Sequence, residues 1–215
     1  MKSIILRDWE VRAALANKVV QVWRPIEPQP VETPPRGLNR WRWEGPTVHL
    51  GDYDPTSLAR ELVRYAPVGV VGDPLWVREA HISGTMNGYR PWVRYRATDQ
   101  SDVPDGSRWR SPLAMSHALS WLMLQLDAIR VLRVQEITEE DAKAIGIEPR
   151  HDLKAHEWMG IPPPATYSLG KRRGVESVAV YPHILGFRRQ WCADQGAKAW
   201  QENQWAWALT LSVVP

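Results

Sequence analysis

Short runs of alternating apolar and polar residues dominate this chain, and only a few segments have the spacing of an amphipathic helix. A period of two predicts a β-strand, whereas apolar residues three and four apart predict a helix. The runs that predict strands cover residues 3–6, 18–24, 75–77, 92–97 and 205–213. The segments that predict helices cover residues 8–16, 57–65, 138–146 and 181–199. Short strands, few helices and a returning C-terminal strand predict an α+β fold, a small β-barrel with flanking helices.

The remaining segments are either longer and more apolar or lack a clear period. Residues 121–135 are apolar over a greater length and predict two strands bent around Asp127. Polar and glycine-rich composition predicts loops at 81–87 and 99–107. Residues 36–66 follow a proline-rich connection, and residues 151–180 have little periodicity. We therefore expect a single domain over residues 1–215, with an inserted segment at about 36–66 and a second elaboration at about 151–180.

A turn followed by a short strand stands out at residues 72–79. Gly72-Asp73-Pro74 predicts a tight turn, because glycine tolerates positive φ and proline withholds a donor. The strand that follows carries Trp76 and delivers Arg78 and Glu79 at its end. Two interpretations are open: these three side chains line a pocket mouth, or they form a buried tryptophan and a surface ion pair.

Composition narrows the possible chemistry. The 215 residues include 13 Trp but one Phe, and the net charge of +3 permits an anionic partner without requiring one. The single cysteine, Cys192, excludes an internal disulfide and a cysteine metal cluster, and no histidine pair has metal-ligand spacing. We expect no metal and no cofactor. Without a run of about 20 apolar residues or a signal peptide, we also expect no membrane contact and a soluble, cytoplasmic protein.

Two basic stretches are candidate interaction surfaces. Arg40-Trp41-Arg42-Trp43 alternates base and aromatic, a composition that stacks nucleobases and holds phosphates. A strand with tryptophans on one face explains the same pattern. Lys171-Arg172-Arg173 predicts a basic turn, which is either solvated or in contact with phosphate.

Five motifs occur in chain order with the spacing of one known family. They are Val11-Arg12-Ala13-Ala14-Leu15 with the strand 18–24 and Pro28-Gln29-Pro30, then Gly72 to Glu79, Tyr95-Arg96-Ala97, Ile137-Thr138-Glu139-Glu140-Asp141-Ala142 and Asn203-Gln204-Trp205-Ala206-Trp207. Together they resemble the ASCH domain family of the PUA-like superfamily, in the form found in phages and prophages. The resemblance implies a PUA-like barrel over nearly the whole chain, in a host cell's cytoplasm if a phage encodes it.

The resemblance also implies a lost activity. Some ASCH proteins are amidohydrolases that deacetylate acetylcytidine with a lysine, a threonine and a glutamate. The matching positions here are Val19, Val22 and Ile145. Because an aliphatic side chain can neither attack a carbonyl nor transfer a proton, we expect a catalytically silent domain. The alternative is an amidohydrolase with displaced catalytic residues.

Polar and aromatic residues still surround the pocket that the resemblance implies. They are Lys18, Gln21, Arg24, Trp76, Arg78 and Glu79. Such a set can stack a base and hold a phosphate or carboxylate, which predicts binding of nucleic acid or of a nucleotide-like ligand. A second hypothesis is a phage protein that binds and inhibits a host defence protein. It would use exposed tryptophans such as Trp41 and Trp43 as anchors.

Overall fold

A computed structural model describes residues 1–17, 19–33, 40–86, 90–99, 107–149, 170–172, 175–177 and 182–214. The strands in these ranges are β1 Lys2–Ile5, β2 Val19–Pro25, β3 Val31–Glu32, β4 Trp41–Glu44, β5 His49–Tyr53, β6 Pro74–Arg78, β7 His81–Met86, β8 Arg90–Tyr95, β9 Met123–Arg133, β10 Gly170–Arg172, β11 Val175–Ser177 and β12 Trp205–Val213. The α-helices are α1 Asp8–Asn17, α2 Pro55–Leu62, α3 Glu139–Ala144, α4 Pro182–Gln195 and α5 Ala197–Gln201. None of these helices has the length and apolarity needed to cross a membrane.

The strands form four separate sheets. The largest has five strands in the order β1-β6-β9-β12-β2, and β3-β4-β5 form a second sheet. Two hairpins, β7-β8 and β10-β11, complete the set. The prediction of an α+β fold is confirmed. Within the part of the chain that the structure describes, the strands form no closed barrel, so the PUA-like barrel stays a prediction.

Contacts along the chain divide it into two compact units. The first unit comprises residues 1–22, 61–130 and 208–215, and the second comprises residues 23–60 and 131–207. The expectation of a single domain stays a prediction.

In the first unit, the predicted turn and strand at residues 72–79 are confirmed. Gly72 has φ of 95°, a conformation that side chains resist, and the Asp73 carboxylate accepts the backbone N–H of Val70 at 3.0 Å. The strand that follows pairs in parallel with β1 and antiparallel with β9. It has a neighbour on both edges, and Leu75, Trp76 and Val77 are all buried, so both of its faces are covered as well. The turn thus places Arg78 and Glu79 at the end of an interior strand.

In the second unit, the sequence signals for α3 are confirmed in detail. The Thr138 hydroxyl accepts the N–H of Asp141, and the Asp141 carboxylate accepts the N–H of Thr138. Gly146 follows the helix with φ of 80°, as a C-terminal glycine should. The core of this unit is aromatic: the Phe187 ring lies 5.4 Å from Trp23, 5.7 Å from Trp191 and 6.3 Å from Trp200.

Two local predictions are wrong. The loop expected at 81–87 begins with strand β7, which pairs with β8. The two bent strands expected at 121–135 are one continuous strand, β9, in which Asp127 is exposed. In α1, Val11 and Ala14 are buried, whereas Leu15 is 38% exposed.

The basic turn expected at residues 171–173 overlaps a hairpin. Lys171 and Arg172 lie in β10, which pairs antiparallel with β11. Arg173 lies outside the described residues, and so does Lys18.

Candidate functional site

Trp76 is a buried packing residue rather than an open stacking platform. Its side chain is 7% exposed, and the His117 ring contacts it edge-on with centroids 5.3 Å apart. The Arg78 guanidinium lies over the indole, 4.7 Å from its centroid. The structure therefore brings Trp76 and Arg78 together as a cation–π pair. A ligand ring cannot reach Trp76 unless one of these neighbours moves.

Glu79 is fully buried at the end of β6. Its Oε1 accepts the indole N–H of Trp121 at 2.9 Å, and its Oε2 has no hydrogen-bond partner among the described residues. Burial raises the pKa of Glu79 to about 7; the Trp121 N–H lowers it and the Asp8 carboxylate raises it to a smaller extent. Glu79 therefore changes charge near neutral pH, which is unusual for a carboxyl.

The surface ion pair that the sequence left open is absent from the described residues. Glu79 lies inside, and the guanidinium of Arg78 contacts Trp76 instead of the Glu79 carboxyl. The reason is that β6 is an interior strand, so the residue after it stays in the core. That interpretation of Arg78 and Glu79 is wrong.

Other polar and aromatic groups surround Glu79. His81 is also fully buried; its Nδ1 lies 3.2 Å from the Glu79 carbonyl oxygen, and its Nε2 has no partner in the described ranges. The Tyr95 hydroxyl donates to the Leu119 carbonyl at 2.6 Å, and its ring lies 5.7 Å from Trp121. Burial, followed by the charge of Glu79, raises the pKa of Tyr95. Trp121 is 46% exposed, so solvent reaches its ring.

Two further residues that the sequence predicts to bind the ligand, Gln21 and Arg24, belong to different compact units. Gln21 is half-buried on β2 in the first unit. Arg24 belongs to the second unit, where its guanidinium donates to the Trp23 carbonyl at 3.0 Å. The pocket that the resemblance implies around all six residues stays a prediction.

The three positions of the family's catalytic residues are hydrocarbon. Val22 and Ile145 are buried in apolar surroundings, and Val19 is 46% exposed. None of the three offers a nucleophile, a base or a charge.

The alternation at Arg40 to Trp43 belongs to a strand whose two faces differ. Trp43 is buried, and its indole N–H donates to the Pro28 carbonyl at 2.7 Å. Arg40 bonds Asp52, which raises the pKa of Arg40 and lowers that of Asp52. Arg42 pairs with Glu44 at 3.7 Å. Because bases and aromatics at adjacent positions point to opposite faces, they do not form one binding surface. Trp43 also cannot anchor a partner protein.

The sequence interpretation missed a second arginine–tryptophan pattern, on β8. Arg90, Trp92 and Arg94 are two residues apart, so they share one face of the β7–β8 hairpin. We call these three residues the β8 face. The Arg94 guanidinium lies 5.7 Å from the Trp92 ring centroid, and Arg90 is exposed. The Arg-x-Trp-x-Arg spacing in the sequence was the signal that would have predicted this shared face.

The β8 face depends on a glycine across the hairpin. Gly84 pairs with Trp92, and a Cβ on Gly84 would come within 2.9 Å of the indole. The missing side chain lets the Trp92 ring lie against the neighbouring strand. Asp99 contacts Arg94 at 3.5 Å and partly balances its charge.

The described residues contain no cluster of three or more His, Cys, Asp or Glu side chains that could hold a metal ion. Burial raises the pKa of the Cys192 thiol, so it is not an activated nucleophile. Comparison of the chain with protein-family models, curated proteins and solved structures finds no match.

Proposed function

We propose that this chain is a catalytically silent ASCH domain with a PUA-like fold, and that it binds single-stranded nucleic acid or a nucleotide-like ligand. The five sequence motifs support the family, and the aliphatic Val19, Val22 and Ile145 support the loss of hydrolysis. The observation that carries the binding function is the β8 face, which combines one indole with two guanidinium groups on one side of a hairpin.

This combination suits an unpaired strand of nucleic acid. A base can stack on an indole whatever its sequence, and each such contact contributes about 1–3 kcal/mol. Arg90 and Arg94, two residues before and after Trp92 on the same face, can supply positive charge to the phosphates that flank a stacked base. Trp92 is only half-buried and Arg90 is exposed, so both are accessible to a ligand.

The test is a fluorescence polarisation titration of labelled oligouridylate and oligothymidylate at several salt concentrations. Trp92→Ala should weaken binding by about 1–3 kcal/mol without changing the salt dependence. Arg90→Ala should reduce the slope of log K against log salt by about one. Arg42→Ala is the matched control, because it removes an exposed arginine that is already paired with Glu44.

Equal binding by wild type, Trp92→Ala and Arg90→Ala would show that the β8 face does not bind the oligonucleotide. If neither oligonucleotide binds even at low salt while a host protein co-purifies, the proposal of an inhibitor of a host defence protein replaces this one.

A further inference from the structure

A cleft of about 400 Å³ lies within the second unit. Its lining residues are Trp41, Pro55, Thr56, Ala59, Val131, Leu132, Arg133, Glu136, Asn203 and Trp205. We call this space the Trp41 cleft. Its volume is within the range that holds a small organic molecule.

One cation lines the cleft, and two indoles hold it. The guanidinium carbon of Arg133 lies 4.7 Å from the Trp41 ring centroid and 4.9 Å from that of Trp205. The two rings meet edge-on at 5.8 Å. The two cation–π contacts hold the guanidinium but use none of its N–H groups, which have no hydrogen-bond acceptor among the described residues. Arg133 is thus preorganised to donate.

A second donor in the cleft wall is also unsatisfied. Trp205 is buried, and its indole N–H has no hydrogen-bond partner in the described part of the chain. Its backbone is held firmly, because the N–H donates to the Gln29 side chain at 2.7 Å and the carbonyl accepts from Ile26 at 3.0 Å. A buried donor without a partner costs free energy unless a ligand or water satisfies it.

The acidic groups limit how much negative charge the cleft accepts. Burial lowers the pKa of Arg133, while the charges of Glu136 and Glu32 oppose this shift. The Glu136 carboxylate accepts the backbone N–H of Arg133 at 2.9 Å, so it stays close by. One oxyanion therefore suits the cleft better than a chain of several.

We infer that the Trp41 cleft is a binding site for a small anion that carries a planar aromatic ring, with a nucleoside monophosphate as the representative ligand. The phosphate accepts from the fork of Arg133, as guanidinium groups bind oxyanions. The base lies against the indole and aliphatic walls of the cleft. This site is separate from the β8 face, which contributes no residue to it.

The experiment is calorimetric titration of wild-type protein with AMP, GMP, CMP and UMP, followed by NMR of the indole N–H groups. Each nucleoside without phosphate should bind at least about tenfold more weakly, because it loses a hydrogen bond to a charged group. Each triphosphate should also bind more weakly than its monophosphate. The bound monophosphate should shift the Trp41 and Trp205 indole signals, which Trp41→Phe and Trp205→Phe variants assign.

Two variants test the site without removing its aromatic walls. Arg133→Lys keeps the charge but loses the planar fork, and should weaken monophosphate binding about tenfold. Ala59→Phe fills part of the cleft from α2 and should abolish binding. Arg60→Leu is the control, since it removes an exposed arginine from the same helix outside the cleft.

No binding by any of the four monophosphates at concentrations up to about 5 mM would overturn the inference. Unchanged binding in folded Ala59→Phe protein would do the same. Free nucleotides and strand ends are then distinguished with 5′-phosphorylated and 5′-hydroxyl oligothymidylate in Trp92→Ala protein, which lacks the indole of the β8 face. A preference for the phosphorylated strand identifies a strand end as a ligand of the cleft. Equal binding of the two strands indicates that the cleft binds free nucleotides instead.

Discussion

Two carboxyl groups show how strongly the surroundings of a residue decide its charge. Asp52 is exposed and hydrogen-bonded to Arg40, which lowers its pKa. Glu79 is buried against Trp121 with no cation beside it, and its pKa rises to about 7. Both follow the same rule, that a carboxylate is stabilised by water and positive charge and destabilised by burial. Of these two carboxyls, Glu79 is therefore the one that is sensitive to pH in the neutral range.

Glu79→Gln should change how stability depends on pH. The folded chain keeps the Glu79 proton up to about pH 7, whereas an unfolded glutamate releases it near pH 4.3. The folded state binds more protons between these values, so the free energy of unfolding falls as pH rises through this window. The neutral glutamine avoids this loss. Denaturant titrations from about pH 4 to 8 should show the difference between variant and wild type changing by up to about 3 kcal/mol.

Glu44→Gln is the control for this measurement, because Glu44 is exposed in a surface pair with Arg42. Its difference from wild type should stay nearly flat over the same pH range. A difference for Glu79→Gln that is equally flat would mean that water reaches the Glu79 carboxyl in solution.

Residues 72–79 also show what sequence can and cannot predict about a site. The types and order of Trp76, Arg78 and Glu79 indicated a site, and the structure keeps Trp76 and Arg78 in contact. The decisive neighbour of Glu79 was not predictable, because Trp121 lies 42 residues away in the chain. Only the tertiary fold brings an indole N–H to that carboxyl.

At the scale of elements, signals confined to a few residues were reliable. The cap and glycine stop of α3 and the turn at Gly72 all form as the sequence predicts. Strand β7 was missed because its pairing with β8 stabilises it more than its own composition does. The two arginine–tryptophan patterns also differ in spacing. Arg42 and Trp43 are adjacent in the chain, so they point to opposite faces of β4, whereas Arg90 and Trp92 are two residues apart and share one face of β8.

The turn before β6 can be tested with two glycines that both have open space around a new side chain. A Cβ on Gly72 or on Gly51 would meet nothing within 4 Å, but only Gly72 has positive φ. Gly72→Val should lower the free energy of unfolding by about 1–3 kcal/mol through backbone strain alone. Gly51→Val, on β5, should change it by less than about 0.5 kcal/mol. Equal melting temperatures would show that the turn tolerates a β-branched residue.

At the scale of the whole molecule, the order of the strands was beyond the reach of the sequence. Alternation places Trp205, Trp207 and Leu209 on one face of β12, which lies between β9 and β2 in the sheet. Ala206 and Ala208, on the other face, are equally buried, so both faces of this strand are covered. Alanine occurs on both buried and exposed faces of strands, so the sequence alone does not show that this second face is buried.

The last prediction concerns the reaction that the family resemblance implies. We expect no deacetylation of acetylcytidine, because Val19, Val22 and Ile145 supply neither nucleophile nor proton carrier. Chromatography of acetylcytidine incubated with pure protein should show no cytidine above a protein-free control. The described residue best suited to replace the lost acid or base is Glu79, whose pKa is near neutral. Turnover that persists in Glu44→Gln but disappears in Glu79→Gln would contradict the prediction and place a displaced hydrolytic site at the end of β6.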